Sequence, residues 1–375
     1  MKLHCHRPSL VTAFQVVGAV VPTRTPKDIL KNVKLQVADG TATLIGTDQE
    51  VGIRYEIPGV EVASGGEVLL PAAHLLSILR ELSDEHVDLE LNDGAIWVRA
   101  GHSEFQLPTP DTEEFPPVPS FADENYLVIS GRGFREAVRR TVFATDVEST
   151  RYALGGVLLE LESDALTMAA TDSRRLAVVR SSCRTEGAAE LENDRPVVPS
   201  KALSLAERSI GDDEFEVFLA VHANDVVIKT GNSTISSRLV DGRFPNYRQV
   251  IPTEPRQTIE LVVGPFYSVV RQAQLVTDND SRGVDFHFTS GLLTLNSQSA
   301  EIGQSKVELP IGYDGDELTI TFDPRFVAEF LRVLELEKSI RLELIDDESA
   351  AVFRVDESYT YVIMPLSRTQ QDSRP

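Results

Sequence analysis

Cysteine is scarce: only Cys5 and Cys183 occur in 375 residues, too few for a disulfide framework and without the CxxC spacing of zinc or dithiol chemistry. Long apolar runs are missing too. No window of eighteen or more apolar residues exists, and Met1-Lys2-Leu3-His4 lacks a signal-peptide core, so a cytoplasmic protein with no membrane contact is expected. Phosphate-cradling loops are absent, since no GxxxxGK[ST] run is present and Gly131-Arg132-Gly133 lacks the third glycine of a dinucleotide fingerprint. Gly231-Asn232-Ser233 lacks the closing glycine of a nucleophile elbow and fits a turn between strands at 226–229 and 234–239. His4-Cys5-His6 would alternate across a strand, sending Cys5 away from both histidines. Asp278-Asn279-Asp280 lacks the spaced ligands of a calcium loop. The chain is therefore expected to have no catalytic residue, no metal and no cofactor.

Positive charge is also in short supply. Lys and Arg total 36 against 58 Asp and Glu, a net charge of −22. Taken alone, this opposes a nucleic-acid partner. A phosphate, however, senses charge only within a Debye length of about 8–10 Å, so placement decides the matter.

What is present is a repeat. Three similar segments begin at Leu70-Pro71-Ala72, Val198-Pro199-Ser200 and Phe322-Asp323-Pro324, and close at Glu114-Phe115-Pro116, Arg243-Phe244-Pro245 and Ile363-Met364-Pro365. Each is the second half of a larger unit. The first halves carry a helix after Arg7-Pro8-Ser9, Gly131-Arg132-Gly133 or Gly264-Pro265, then hydrophobic strands such as Val33-Lys34-Leu35-Gln36-Val37. Proline-rich stretches at 108–119 and 244–255 read as linkers. The expectation is α+β: three domains, at 1–124, 125–255 and 256–375, each with two helices packed on antiparallel sheets.

Aligning the second helices places Arg80, Arg208 and Arg332 at one repeat position, and Lys201 and Arg325 at another one face-length earlier, where Ala73 breaks the match. The first helices bring Gln15, Arg139 and Arg271 into register, and the middle one adds Arg132, Arg135 and Arg140. Phe134, Val138 and Val142 form that helix's apolar stripe, which predicts outward-facing arginines. Any one arginine could be an ordinary solvated residue. Recurrence in three units instead suggests one symmetric basic surface inside an acidic protein, and symmetry argues against a hydrolase built from dispersed carboxylates.

Several stretches carry a specific likeness: Leu35-Gln36-Val37-Ala38-Asp39-Gly40 with Gly46-Thr47-Asp48, Arg151-Tyr152 with Leu154, Thr171-Asp172-Ser173-Arg174-Arg175-Leu176-Ala177, Leu239 through Tyr247, and Tyr361-Val362-Ile363-Met364-Pro365-Leu366. On these the chain resembles the bacterial DNA polymerase III beta subunits, the sliding clamps, over essentially its full length. The resemblance implies a non-catalytic processivity factor: a head-to-tail homodimeric ring around duplex DNA, opened by a separate ATP-driven clamp loader. It implies salt-sensitive, sequence-independent contact by the basic helices, with Arg24 and Tyr152 as further DNA contacts; Tyr152 is equally readable as core. Glu148 and Ala153 depart from the polar and aromatic contacts expected near that loop.

The same resemblance implies an apolar cleft for short peptides of the replicative polymerase, other polymerases and repair proteins. It would be lined by Leu154, Thr171, Leu176, Pro245, Val250, Val362, Met364, Pro365 and Leu366, with Arg175 satisfying a peptide carbonyl; read in isolation the aliphatic members suit ordinary core. The family usually reads Gly-His-Arg-Leu where this chain has Ser173-Arg174-Arg175-Leu176, and a polar tail follows Leu366. Ring closure would bring Phe105 and Leu107, on an edge strand, against Leu275 and Val276 of the second subunit. The competing reading is an acidic protein-interaction scaffold of the same fold.

Overall fold

The computed structural model describes residues 1–146, 148–149, 153–162, 164–187, 195–211, 215–277 and 282–366. The chain divides into two compact units, one of residues 1–135 and 183–239, the other of 136–182 and 240–375. Among the described residues there are six α-helices, none long and apolar enough to cross a membrane.

The first unit contains a five-stranded antiparallel sheet in the order Val60–Ser64, Lys2–His6, His86–Asn92, Ala95–Ala100, Ser103–Pro108. A nine-stranded sheet runs Arg184–Glu186, Tyr126–Ser130, Glu216–Val221, Asp225–Thr230, Ser233–Arg238, Val51–Glu56, Thr41–Thr47, Asn32–Ala38, Gly66–Pro71. Its midpoint is a join between repeats, where Ser233–Arg238 pairs antiparallel with Val51–Glu56 and Ile235 faces Ile53. Helix α1 (Arg7–Gly18) starts on Pro8, whose missing N–H costs nothing in a first turn. It buries Leu10, Ala13, Phe14 and Val17 at helical spacing and packs on α2 (Ala72–Glu81). Gly46 lets it approach: a Cβ there would lie 2.6 Å from Val17 Cγ1.

The stretch at 108–119 is not a free linker. Phe115 and Val118 are buried with Ile45 and Leu69, because a proline-rich strand of chain with two apolar side chains gains more by covering the sheet than by spanning solvent. The stretch at 244–255 behaves alike, with Phe244 and Tyr247 buried.

In the second unit one sheet contains, in order, Gly156–Leu161, Ala165–Thr171, Arg175–Ser182, Tyr359–Ile363, Ala351–Val355, Ser339–Leu344 and Gln257–Val262. Here the join is Arg175–Ser182 with Tyr359–Ile363, Leu176 facing Val362. A four-stranded sheet runs Gly303–Pro310, Leu292–Ser299, Val284–Thr289, Leu318–Phe322. Over these lie α5 (Val263–Gln274) and α6 (Pro324–Arg332), the latter capped by Asp323, whose carboxylate accepts the Arg325 N–H at 3.0 Å. Aromatic packing fills the core, with Phe330 stacked on Tyr361 at 4.7 Å. The remaining helices are α3 (Gly131–Thr141), within which the two units meet in sequence, and α4 (Ser200–Ser209) of the first unit.

Candidate functional site

The helices invert the charge of the chain. Together they hold eleven Lys and Arg against four Glu, a net +7 in a protein of −22. Cations in the last turns of α2 to α6 (Arg80, Arg139, Arg140, Arg208, Arg271, Arg332) offset the negative end of the helix dipole and need no ligand to explain them. First turns are more telling. None of the six α-helices among the described residues has an acidic residue there, where the dipole would favour one, and Arg7, Arg132, Lys201 and Arg325 stand in these disfavoured positions.

The predicted basic residues fall into three groups. Arg24, Arg80, Arg208, Arg271 and Arg332 are exposed, and so is Arg139, which also makes a contact within the chain. Arg135, Lys201 and Arg325 have their charge met locally: Arg135 donates to the Ile210 carbonyl at 2.8 Å, Lys201 is paired with Asp48, and Arg325 grips Asp323 at 2.6 and 3.0 Å. Burial works against ionised Asp48, but the Lys201 ammonium and the Val51 and Glu50 N–H groups outweigh it and hold the carboxyl below its ordinary range. Arg140 corrects the expectation of an all-outward basic face. It is 7% exposed, lies over the Tyr359 ring at 5.2 Å and pairs with Glu136. The buried arc of α3 runs through Phe134, Ala137, Val138 and Thr141, so position 140, three residues after Ala137, falls on its inner edge. Tyr152 lies outside the described residues.

The second unit also holds a cavity of about 480 Å³. It gathers Thr171, Arg175, Leu176, Pro245, Val250, Val362 and Met364 of the predicted set. Leu154 is buried elsewhere, and neither Pro365 nor Leu366 lines the space. Ser173, Arg174, Arg243, Phe244, Asn246 and Tyr247 complete the wall; all six stand inside the stretches that carried the resemblance, which was the available signal. The sheet join makes the cavity floor, since pairing Leu176 with Val362 brings segments far apart in sequence side by side. Val250 and Met364 stay 53% and 46% exposed, apolar surface that water covers at a cost.

The rim turn is tightly specified. Thr171 Oγ1 donates to the Arg175 carbonyl at 2.6 Å and accepts the Ser173 N–H at 3.1 Å. Asp172 accepts the N–H groups of Arg174 and Arg175, each at 3.0 Å. Ser173 takes φ +75°, the left-handed region that favours glycine. Arg175 is not available to a peptide carbonyl. Its side chain is 8% exposed, and the guanidinium bonds Asp172 at 2.9 Å, Glu329 and the Phe143 carbonyl at 2.7 Å, and stacks 4.5 Å from the Phe326 ring. Burial opposes its charge, yet Glu329 and Asp172 keep it firmly protonated. It is a post that fixes the turn. Across the cavity, Glu160 accepts Tyr247 Oη–H and Arg248 N–H, both at 2.6 Å.

Phe105 (37% exposed) and half-buried Leu107 lie on Ser103–Pro108, an outer strand paired only with Ala95–Ala100 among the described residues; Leu275 is 76% exposed just past α5 and Val276 is half-buried. Cys5 is buried, which together with Asp88 pushes its thiol up to about 12, while His4 on the opposite strand face bonds Asp88 at 2.8 Å. No group of three or more His, Cys, Asp or Glu among the described residues is placed to hold a metal.

Family models for the N-terminal, central and C-terminal domains of the DNA polymerase III beta subunit match residues 1–119, 128–246 and 248–367. The chain is 30% identical over 373 residues to the beta sliding clamp of Pseudomonas putida, spanning 98% of this chain and 100% of the relative. The Escherichia coli beta sliding clamp is 28% identical over 369 residues, again 98% and 100%. Among solved structures, a sliding clamp of Pseudomonas aeruginosa bound to griselimycin superposes with TM-score 0.90 at 28% identity, covering 98% of this chain and 99% of that one. The Bacillus subtilis DNA polymerase sliding clamp gives TM-score 0.90 at 26% identity, covering 98% and 99%. With three clamp domains in order along one chain, the protein belongs to the family of DNA polymerase III beta subunits, the beta sliding clamps.

Proposed function

We propose that two copies of this sliding clamp pair head to tail into a closed ring, with domains at 1–124, 125–255 and 256–375, and that the ring holds duplex DNA by topology. The observation that carries this reading is a join repeated twice with two ends left over. The fourth strand of one repeat, Val51–Glu56 or Arg175–Ser182, pairs with the last strand of the next, Ser233–Arg238 or Tyr359–Ile363. By the same rule Gly303–Pro310 lacks a following repeat and Ser103–Pro108 lacks a preceding one, and both are outer strands. A second chain supplies what each is missing, covers Phe105, Leu107, Leu275 and Val276, and hides these two edges from aggregation.

Exposed Arg24, Arg80, Arg139, Arg208, Arg271 and Arg332 are the proposed phosphate contacts, giving weak, salt-dependent and sequence-independent attraction that permits sliding. Arg135, Lys201 and Arg325 reach a phosphate only by giving up an internal partner. Tyr152 is proposed on the resemblance alone. The replicative polymerase, other polymerases and repair proteins dock short peptides in the 480 Å³ cavity, and an ATP-driven loader opens the ring. The test is to load the protein with its loader on a nicked circle and then linearise the DNA. Release on linearisation is expected; retention on DNA with free ends would refute topological linkage.

A further inference from the structure

Four arginines surround or adjoin the cavity, and they divide sharply. Arg175 is held by Asp172 and Glu329, and Arg248 by Glu160. Arg174 and Arg243 line the cavity, are exposed, and have no hydrogen bond or ion pair to their guanidinium groups among the described residues. In a protein of net charge −22, two unpaired cations beside exposed Val250 and Met364 are out of keeping with their surroundings. The Arg174 backbone is also pinned on both sides: its N–H by Asp172 at 3.0 Å, its carbonyl by the Met364 N–H at 2.9 Å. Its side chain therefore springs from a fixed base at the rim, and holding it there costs less entropy than on a mobile loop.

The equivalent turn at the other join sharpens the point. There Thr47, Asp48, Gln49 and Glu50 repeat the hydrogen bonding of Thr171, Asp172, Ser173 and Arg174, with Gln49 at φ +81°. The backbone accepts either charge at the fourth position, so the turn itself does not require arginine. Glutamate stands at the join that Val118 covers, and arginine at the join that lines the cavity.

We propose that Arg174 and Arg243 select partner peptides that carry acidic residues beside their aliphatic or aromatic anchors. This rests on the reading of the cavity as the partner-peptide site. The bulk of the protein repels an acidic peptide, and the rim reverses that field over the few ångströms that matter in physiological salt. Exposed ion pairs are individually weak, so each arginine is expected to contribute roughly two- to fivefold in affinity, and the pair about tenfold.

The test uses the full chain and three fluorescent peptides sharing Leu and Phe anchors and differing only in whether the flanking residues are Asp/Glu, Asn/Gln or Lys. Affinity is expected to fall in that order, with the acidic peptide's advantage over the amide peptide shrinking at high salt. In the Arg174→Ala/Arg243→Ala variant the ratio of acidic-peptide to amide-peptide affinity is expected to fall to about one, whatever the change in amide-peptide affinity itself. Both positions are exposed, so the variant should fold. Equal binding of acidic and amide peptides by the unaltered protein, or an acidic preference that survives in the variant, overturns the rim assignment and leaves the cavity reading intact. If no peptide binds, or if Met364→Ala weakens none of them, the cavity reading itself fails and the rim assignment with it.

Discussion

Two joins between repeats use the same parts to different ends. At the first, Thr47 Oγ1 donates to the Val51 carbonyl at 2.9 Å and Asp48 accepts the Val51 N–H at 2.7 Å; at the second, Thr171 and Asp172 do the same for Arg175 at 2.6 and 3.0 Å. The difference lies in what covers the turn. At the first join, Val118 presses on the paired strand so closely that a Cβ on Gly52 would lie 2.6 Å from Val118 Cγ1. At the second, Leu176 replaces that glycine, the following segment stands off, and a cavity remains. A sealed seam and an open cavity thus differ by one side chain's room for a neighbouring segment, not by backbone design. In the proposed ring the outer strands Ser103–Pro108 and Gly303–Pro310, each paired on one side only, would make a third version of the join between two chains.

The largest effect should come from breaking that third version. Phe105→Asp with Leu275→Asp puts charge on surfaces that ring closure would bury, where an unpaired charge costs several kcal/mol. Sedimentation is expected to show the 41.3 kDa chain as a monomer at concentrations where the unaltered protein is a dimer, with unchanged folding. A dimer of undiminished stability would mean that closure uses another surface.

The contrast between sealed and open joins can be tested next by removing equivalent apolar groups. Val118 is 8% exposed and Val250 is 53% exposed. Val118→Ala is expected to lower unfolding free energy by about 1–2 kcal/mol, and Val250→Ala by less than about 0.5 kcal/mol while weakening peptide binding. Gly52→Ala, which must displace Val118, should cost about 1–3 kcal/mol. Denaturant titration reads all three; equal losses at Val118 and Val250 would erase the distinction.

Much of this was legible in the chain itself, for definable reasons. Helices and strands followed from apolar periodicity, and the threefold repeat from its proline-marked starts, because both are local signals. Partners that meet from afar were not legible. Arg175 finds Glu329 154 residues away and Lys201 finds Asp48 153 residues away, and nothing within either helix or turn encodes those meetings. Arg140 was misjudged because a stripe drawn through Phe134, Val138 and Val142 is narrower than the buried arc that includes Ala137 and Thr141. The cavity was read through resemblance as mainly aliphatic positions with Thr171 and Arg175; its further polar rim, Ser173, Arg174, Arg243 and Asn246, emerges only when the turn at 171–175 and the segment at 243–250 are seen to line one space.

The smallest effect concerns the sealed join, where Asp48 pairs with Lys201 of a distant helix, whereas the equivalent Asp172 of the open join pairs with Arg175 of its own turn. Asp48 is ionised more readily than an ordinary carboxyl because Lys201 and two backbone N–H groups favour its charged form, so its folded-state pKa lies below the unfolded value of about 3.9. Stability from this depression is fully present above the unfolded value and disappears as pH falls through the folded one. Lys201 is 52% exposed, so solvent screening limits the pair to about 0.5 kcal/mol. Lys201→Met is therefore expected to lose that amount at pH 7, to lose less in high salt, and to converge with the unaltered protein well below pH 3.9. A deficit that instead grew toward acid would show that Asp48 is not the group Lys201 serves, and would release Lys201 from the seam to the phosphate-facing set.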